Sequence, residues 1–284
     1  MRETMYEKPM PRLSGRNFGA HAVLILWSLM VLFPLWTMII NSFKRRLDIY
    51  RDPFGLPPVW NLESYAAVFR DSSFLSYFRN SLFVTIGSIL IILALGSLAA
   101  YAIANWKTKL SKTIYYFFII GMMLPIKIGS INLLQIVKSL GLINTVYSLF
   151  PIYIAMGMPI TVFVLTEFIG GIPGELTEAA LMDGATRGKI YRSIILHLIR
   201  PALGTVAIFN LVPFWNDLWF PLIFINAEQH KTLILGVTRL FGQYQTDWSK
   251  VLAVLTRSTV PVLLLYLAMA KQFISGLTAG AVKG

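Results

Sequence analysis

Long apolar runs, each of about the length needed to cross a bilayer, dominate this chain and leave little choice of fold class. A membrane-crossing helix needs about 20 residues, and runs of that order recur near His21–Ile40, Asn80–Ala104, Thr113–Leu134, Tyr147–Ile169, Ala202–Ile225 and Val251–Phe273. Lipid leaves no water for unpaired backbone groups, so apolar runs of this length are expected as helices. Of the 284 residues, 56% are hydrophobic and 13% charged, against about a quarter charged in a soluble domain. The expectation is an all-α integral membrane protein with six transmembrane helices.

The polar remainder divides accordingly. Residues 1–18 read as a basic tail that lacks a compact apolar core and cleavage site at its very start. Residues 19–284 form the six-helix domain. Asn41–Arg79 reads as an ordered external loop with a short helix near Leu62–Phe69. Gly87, Ser88, Gly96, Ser97, Ala99 and Ala100 give the second span small residues for close helix packing. Lys107, Lys109 and Lys112, with no acid between them, mark the clearest cytoplasmic loop. Six spans place both termini on one side, here the cytoplasm. The overall Lys/Arg count barely separates the two faces, and Lys44-Arg45-Arg46 runs against the assignment. A net charge of +12 reads as flanking charge beside anionic lipid rather than a nucleic-acid surface. With no cysteine, disulfides and thiol chemistry are excluded. Three scattered histidines and no paired acid/base motif leave no metal centre or catalytic site to name.

Glu175–Pro201 is the most patterned polar interval. Glu178-Ala179-Ala180 is followed by Gly184, with Ile194 and Leu196 further on. Pro173 suits a first helical turn, Glu175 through Met182 favour helix, and Asp183-Gly184 breaks it. Thr186 is a candidate N-cap for a second helix. Ala179, Ala180 and Gly184 form a small surface that lets another protein approach closely; an amphipathic helix lying on the membrane is the alternative. Gly184-Ala185-Thr186-Arg187-Gly188-Lys189-Ile190 is too short between its glycines for a phosphate loop and lacks the hydroxyl for magnesium.

Asn210, Trp215, Asn216 and Asp217 lie inside the fifth span, the last three bracketed by Pro213 and Pro221. Polar residues at such depth line a watery path or join helices. Lys127 reads as a charge near the outer end of the third span that snorkels to the interface.

The central interval resembles the cytoplasmic EAA loop of permease subunits in binding-protein-dependent ABC importers. Asn41-Ser42-Phe43-Lys44, Met122-Met123-Leu124-Pro125, Pro213-Phe214-Trp215-Asn216-Asp217, Thr246-Asp247-Trp248 and the segment from Gly276 to Gly284 are similar to the carbohydrate branch, in particular to its smaller, MalG-like maltose permease subunit. The departures are His197 at a position usually proline and Tyr191 where phenylalanine is usual. The resemblance implies a type I ABC importer permease fold in a bacterial inner membrane, with a coupling loop at 173–201 and a tail at 275–284. It implies a homologous second permease, two ATPase subunits carrying ATP and Mg, an extracytoplasmic solute-binding protein and a sugar. It makes Glu178, Ala179, Ala180, Asp183 and Gly184 the ATPase contact, and places Phe241, Gly242, Gln243 and Tyr244 toward the binding protein. Without proline at 197, the second loop helix is expected to run unbroken into the fifth span. An ion-coupled secondary transporter is the competing reading, with Asp217 its best membrane carboxylate; ATP dependence separates the two. No residue pattern names the sugar, whether neutral or acidic.

Overall fold

A computed structural model describes residues 15–70, 72–241 and 246–281, and every regular element among them is helical. In order these are α1 (Gly15–Ser42), α2 (Arg46–Arg51), α3 (Glu63–Arg70), α4 (Ser72–Asn105), α5 (Lys109–Met123), α6 (Ser130–Ser139) and α7 (Leu149–Gly170). They continue as α8 (Gly174–Met182), α9 (Arg187–Ile190), α10 (Leu196–Leu198), α11 (Arg200–Trp215), α12 (Trp219–Phe224), α13 (Leu233–Val237) and α14 (Trp248–Ala281). The short helix expected near Leu62–Phe69 is α3.

Three stretches, Phe18–Ser42, Ser73–Asn105 and Val146–Gly170, are individually long and apolar enough to cross a membrane. Two further pairs qualify only when taken together, Lys109–Met123 with Ile126–Ser139 bent by 84° and Arg187–Leu198 with Arg200–Trp215 bent by 72°. The expected third span is therefore bent, and the expected fifth is interrupted between α11 and α12.

Proline accounts for each break. Leu124 is extended (φ −81°, ψ 123°), as a residue before proline prefers, because the Pro125 ring crowds the helical conformation. Between α11 and α12 the ladder stops at Asn216–Leu218, where Pro221 has no N–H to return to the Asp217 carbonyl. The unbroken run expected through His197 is also corrected. Tyr191–Ile195 forms a π turn, Ile199 leaves the helix at φ −88°, ψ 6°, and α11 sets off in a new direction with Pro201 in its first turn. Pro201 lacks the N–H that would serve the His197 carbonyl, so the bend expected to be absent without proline at 197 is produced by the proline four residues on.

The interior is a packing of α4, α7 and α11, with α14 against α11. Ile92, Leu149, Tyr153, Phe214, Phe220 and Phe224 fill one buried cluster. Leu165, Ile190, Ile195, Ile199 and Val206 fill a second, beneath the α8–α10 segment. Trp215 joins Phe74, Tyr77, Leu233 and Val254 in a third. Ser88, Ser97 and Ala100 of α4 are buried, in keeping with the small-residue packing expected there. The long helix α1 packs along α14, yet only 6% of its apolar window is buried.

Candidate functional site

The α8–α9 segment is two helices around a turn, as its residues predict. Gly184 N–H donates to the Leu181 carbonyl (3.0 Å) and Ala185 N–H to that of Ala180 (2.9 Å). This is the paired closure of a Schellman motif. Gly184 holds φ +77°, a left-handed conformation that a side chain disfavours, while the space a Cβ would occupy is empty. The glycine is thus required by the backbone turn itself. Thr186 caps α9 by accepting from Lys189 N–H.

No residue of α8 is fully buried. Glu178, Ala179, Asp183 and Gly184 are exposed and Ala180 is half-buried, packed against the second cluster. Met182 is 89% exposed. The base of the segment is tied to the end of α4: the Tyr191 and Ser97 hydroxyls hydrogen-bond at 2.7 Å, Tyr191 packs on Tyr101 at 5.3 Å, and the Arg187 guanidinium lies 5.9 Å from the Trp106 ring centroid. A groove of about 260 Å³ runs between them, lined by Leu98, Trp106, Thr177, Leu181 and Arg187 among others. An exposed helix on a braced base presents a flat face of small and acidic residues.

The four polar candidates of the fifth span part company. Asn210 is buried between α11 and α7, donating to the Val206 carbonyl at 2.9 Å and lying 3.5 Å from the Thr161 hydroxyl. Gly157 lets it fit: a Cβ there would lie 2.5 Å from Asn210 Oδ1 and 2.5 Å from Ile92 Cδ1. Asn210 joins helices. Trp215 is buried as well, edge-on to Phe78 at 5.7 Å, and belongs to the core. Neither faces an open path within this chain.

Asn216 and Asp217 sit in the break between α11 and α12 and are reached from outside. The Asp217 carboxylate accepts from Trp219 N–H at 3.0 Å through one oxygen and from the Tyr153 hydroxyl at 3.1 Å through the other. Trp219 Nε1–H donates to the Ser130 hydroxyl at 2.9 Å, and Lys127 Nζ stands 5.7 Å from the Trp219 ring centroid. The two interrupted helices meet here, bringing a carboxylate, a hydroxyl, an ammonium and an indole to one half-exposed face, while the Asn216 amide donates to the Val212 carbonyl at 3.0 Å. Lys127 is exposed and has the Trp219 ring within reach. Trp219, Ser130 and Tyr153 escape a reading of the sequence; the prolines at 125 and 221 mark both breaks but not that they face one another.

The loop after α12 is built on Asn144, a left-handed residue at φ 64° whose side-chain oxygen accepts from Asn226 N–H (2.8 Å) and Ala227 N–H (2.5 Å). Glu228 then binds Arg239 at 2.8 Å, Lys231 at 2.8 Å and the Tyr77 hydroxyl. Asn80 donates to the Gln229 and Lys231 carbonyls at 2.8 and 3.0 Å. Phe241 lies edge-on to Trp248 at 6.1 Å; Gly242, Gln243 and Tyr244 lie outside the described residues.

Comparison with known proteins places these features in company. Residues 92–273 match the family described as "Binding-protein-dependent transport system inner membrane component". The diacetylchitobiose uptake system permease protein NgcG of Streptomyces coelicolor is 31% identical over 95% of this chain and 91% of its own length. The melibiose/raffinose/stachyose import permease protein MelC of Bacillus subtilis is 33% identical over 88% and 91%. Among solved structures, a chain of a bacterial ABC transporter involved in the import of the acidic polysaccharide alginate superposes with a TM-score of 0.79 at 21% identity. That match covers 94% of this chain and 100% of the other.

Proposed function

The chain belongs to the inner-membrane components of binding-protein-dependent transport systems, and from that premise we propose that it is one permease subunit of an ATP-driven importer for an oligosaccharide. Relatives named for diacetylchitobiose and for melibiose, raffinose and stachyose support a carbohydrate. In this reading α14 and the two bent pairs complete six spans, with both termini cytoplasmic. A homologous permease faces Asn216, Asp217, Trp219, Ser130 and Lys127 across the pathway. Indole faces and side-chain amides suit a sugar, which has an apolar ring face and hydroxyls at its edge. Asn210 and Trp215 hold that face in place from behind.

Energy enters through α8. Glu178, Ala179 and Asp183 dock on an ATPase subunit, and its closure is passed through Tyr191 and Ser97 to α4. Phe241 through Tyr244 reach toward the docked binding protein. The single observation that carries the proposal is α8 itself, an exposed small-residue helix closed by Gly184 and braced on α4. The test is ATP hydrolysis by the whole complex in liposomes, with and without sugar-loaded binding protein. Ala179→Trp leaves the Gly184 turn intact and blocks close docking. Loss of binding-protein-stimulated hydrolysis is expected; full stimulation would remove α8 from the mechanism. Absence of any associated ATPase would point to ion-gradient transport instead.

A further inference from the structure

The segment after α1 leaves the helix and folds back along it. Asn41 Nδ2 donates to both the Thr37 carbonyl (2.8 Å) and the Pro53 carbonyl (2.7 Å). Lys44, only 1% exposed, donates to the Asp52 carbonyl at 2.5 Å. Asn61 N–H closes the loop on the Phe43 carbonyl at 2.8 Å. Between these ties Asp52 Oδ1 accepts from Gly55 N–H at 2.8 Å, turning the chain so that the Phe54 ring stacks on Phe33 at 5.7 Å.

That stack sets a depth. Phe33 lies about 13 Å below Ser42 along a helix rising ~1.5 Å per residue, within the apolar window of α1. A loop that read as external from its prolines and charges therefore descends beside a membrane helix. Its outward surface is apolar: Phe54 is 65% exposed, and Leu47, Tyr50, Leu56, Val59 and Trp60 are exposed with it. So large an exposed apolar surface marks an interaction site. Arg45 and Arg51, also exposed, line a groove with Asp48, Glu63 and Asp247.

We infer that Arg45–Trp60 is a re-entrant collar embedded in the lipid leaflet at the Ser42 end of α1, with Phe54 and Leu56 among the acyl chains and Arg45 and Arg51 on lipid phosphates. The occupant is lipid because the surface continues the exposed apolar face of α1, and the exposed Arg45 and Arg51 can complement phosphate beside Asp48. Tyr50 and Trp60 are the side chains that favour the boundary between headgroup and hydrocarbon. The same arrangement explains the basic run that opposes the topology: Lys44 is sequestered by the fold, and the arginines have headgroups to meet. The inference rests on α1 crossing the membrane as proposed above.

The absence of cysteine makes the test direct. Single-cysteine variants of the complete transporter in liposomes, Leu56→Cys, Phe33→Cys and Asn226→Cys, are spin-labelled, and collision with oxygen is compared with collision with a water-soluble nickel chelate. At Leu56 the oxygen-to-nickel ratio is expected several-fold above that at Asn226 and similar to that at Phe33. A water-like ratio at Leu56 overturns the collar. So does a label shielded from both reagents, which would place a protein partner on this surface. A water-like ratio at Phe33 would instead reject α1 as a membrane span.

Discussion

The Tyr153 hydroxyl donates to one oxygen of the Asp217 carboxylate at 3.1 Å while the other oxygen accepts from Trp219 N–H at 3.0 Å. One side chain thereby joins α7 to the break between α11 and α12 and sets the orientation of Trp219. Tyr153 is stacked on Phe214 at 4.6 Å, so its ring is fixed independently of this bond. Tyr153→Phe is expected to retain the packing and lose about 1 kcal/mol of hydrogen bonding. Asp217→Ala also removes the acceptor of the Trp219 N–H and is expected to lower sugar uptake further. Uptake into liposomes and thermal unfolding in detergent check both; equal uptake by the two variants would show that the bond to Trp219 N–H does not matter.

Gly157 of α7 lies directly against Asn210 and Phe214 of α11. Gly157→Ala places a methyl within 2.5 Å of Asn210 Oδ1 and Ile92 Cδ1. Overpacking of this kind costs about 1–3 kcal/mol, so a lower unfolding temperature is expected. Gly157→Ala combined with Asn210→Ala is expected to recover part of the loss.

Gly184 separates backbone geometry from docking. Gly184→Asn tolerates the left-handed conformation better than Gly184→Ala, which is strained there by about 1 kcal/mol. The expected order of α8 protection from hydrogen exchange is glycine, asparagine, alanine. Because the space around Gly184 is open, steric crowding within the chain does not contribute to that order.

Asp247 opens α14. Partial burial disfavours its charge, but hydrogen bonds from Ser249 and Lys250, with the Lys250 ammonium at 3.2 Å, outweigh it and hold the carboxyl below its usual range. A carboxylate depressed in this way contributes stability that is fully present above its unfolded value and lost as pH falls through the folded one. The first turn of α14 is therefore expected to stay protected at neutral pH and to loosen only below the ordinary carboxylate range. Asp247→Ala is expected to cost about 1 kcal/mol as a lost cap and to remove that acid dependence. Hydrogen exchange of the first turn against pH measures both.

What the sequence determined by itself was everything local. Apolar runs specified helices, Gly184 and Thr186 specified the turn and cap of the loop, and Pro125, Pro201 and Pro221 fall at breaks because a missing N–H acts within four residues of its own position, whereas Pro34, Pro159, Pro213 and Pro261 sit inside continuous helices. The bend after His197 follows the same rule from Pro201, although an unbroken helix was expected there. Only the tertiary structure decided the fate of each polar side chain in the fifth span. Asn210 and Asp217 are alike in residue pattern, yet one meets Thr161 across a glycine and is buried, while the other meets Tyr153 at an interrupted helix end and stays accessible. The return of Phe54 onto Phe33 was equally illegible, since it depends on Asn41 and Lys44 capturing carbonyls some ten residues away. Such contacts join positions distant in sequence, and no helical period carries the information about which of them will meet.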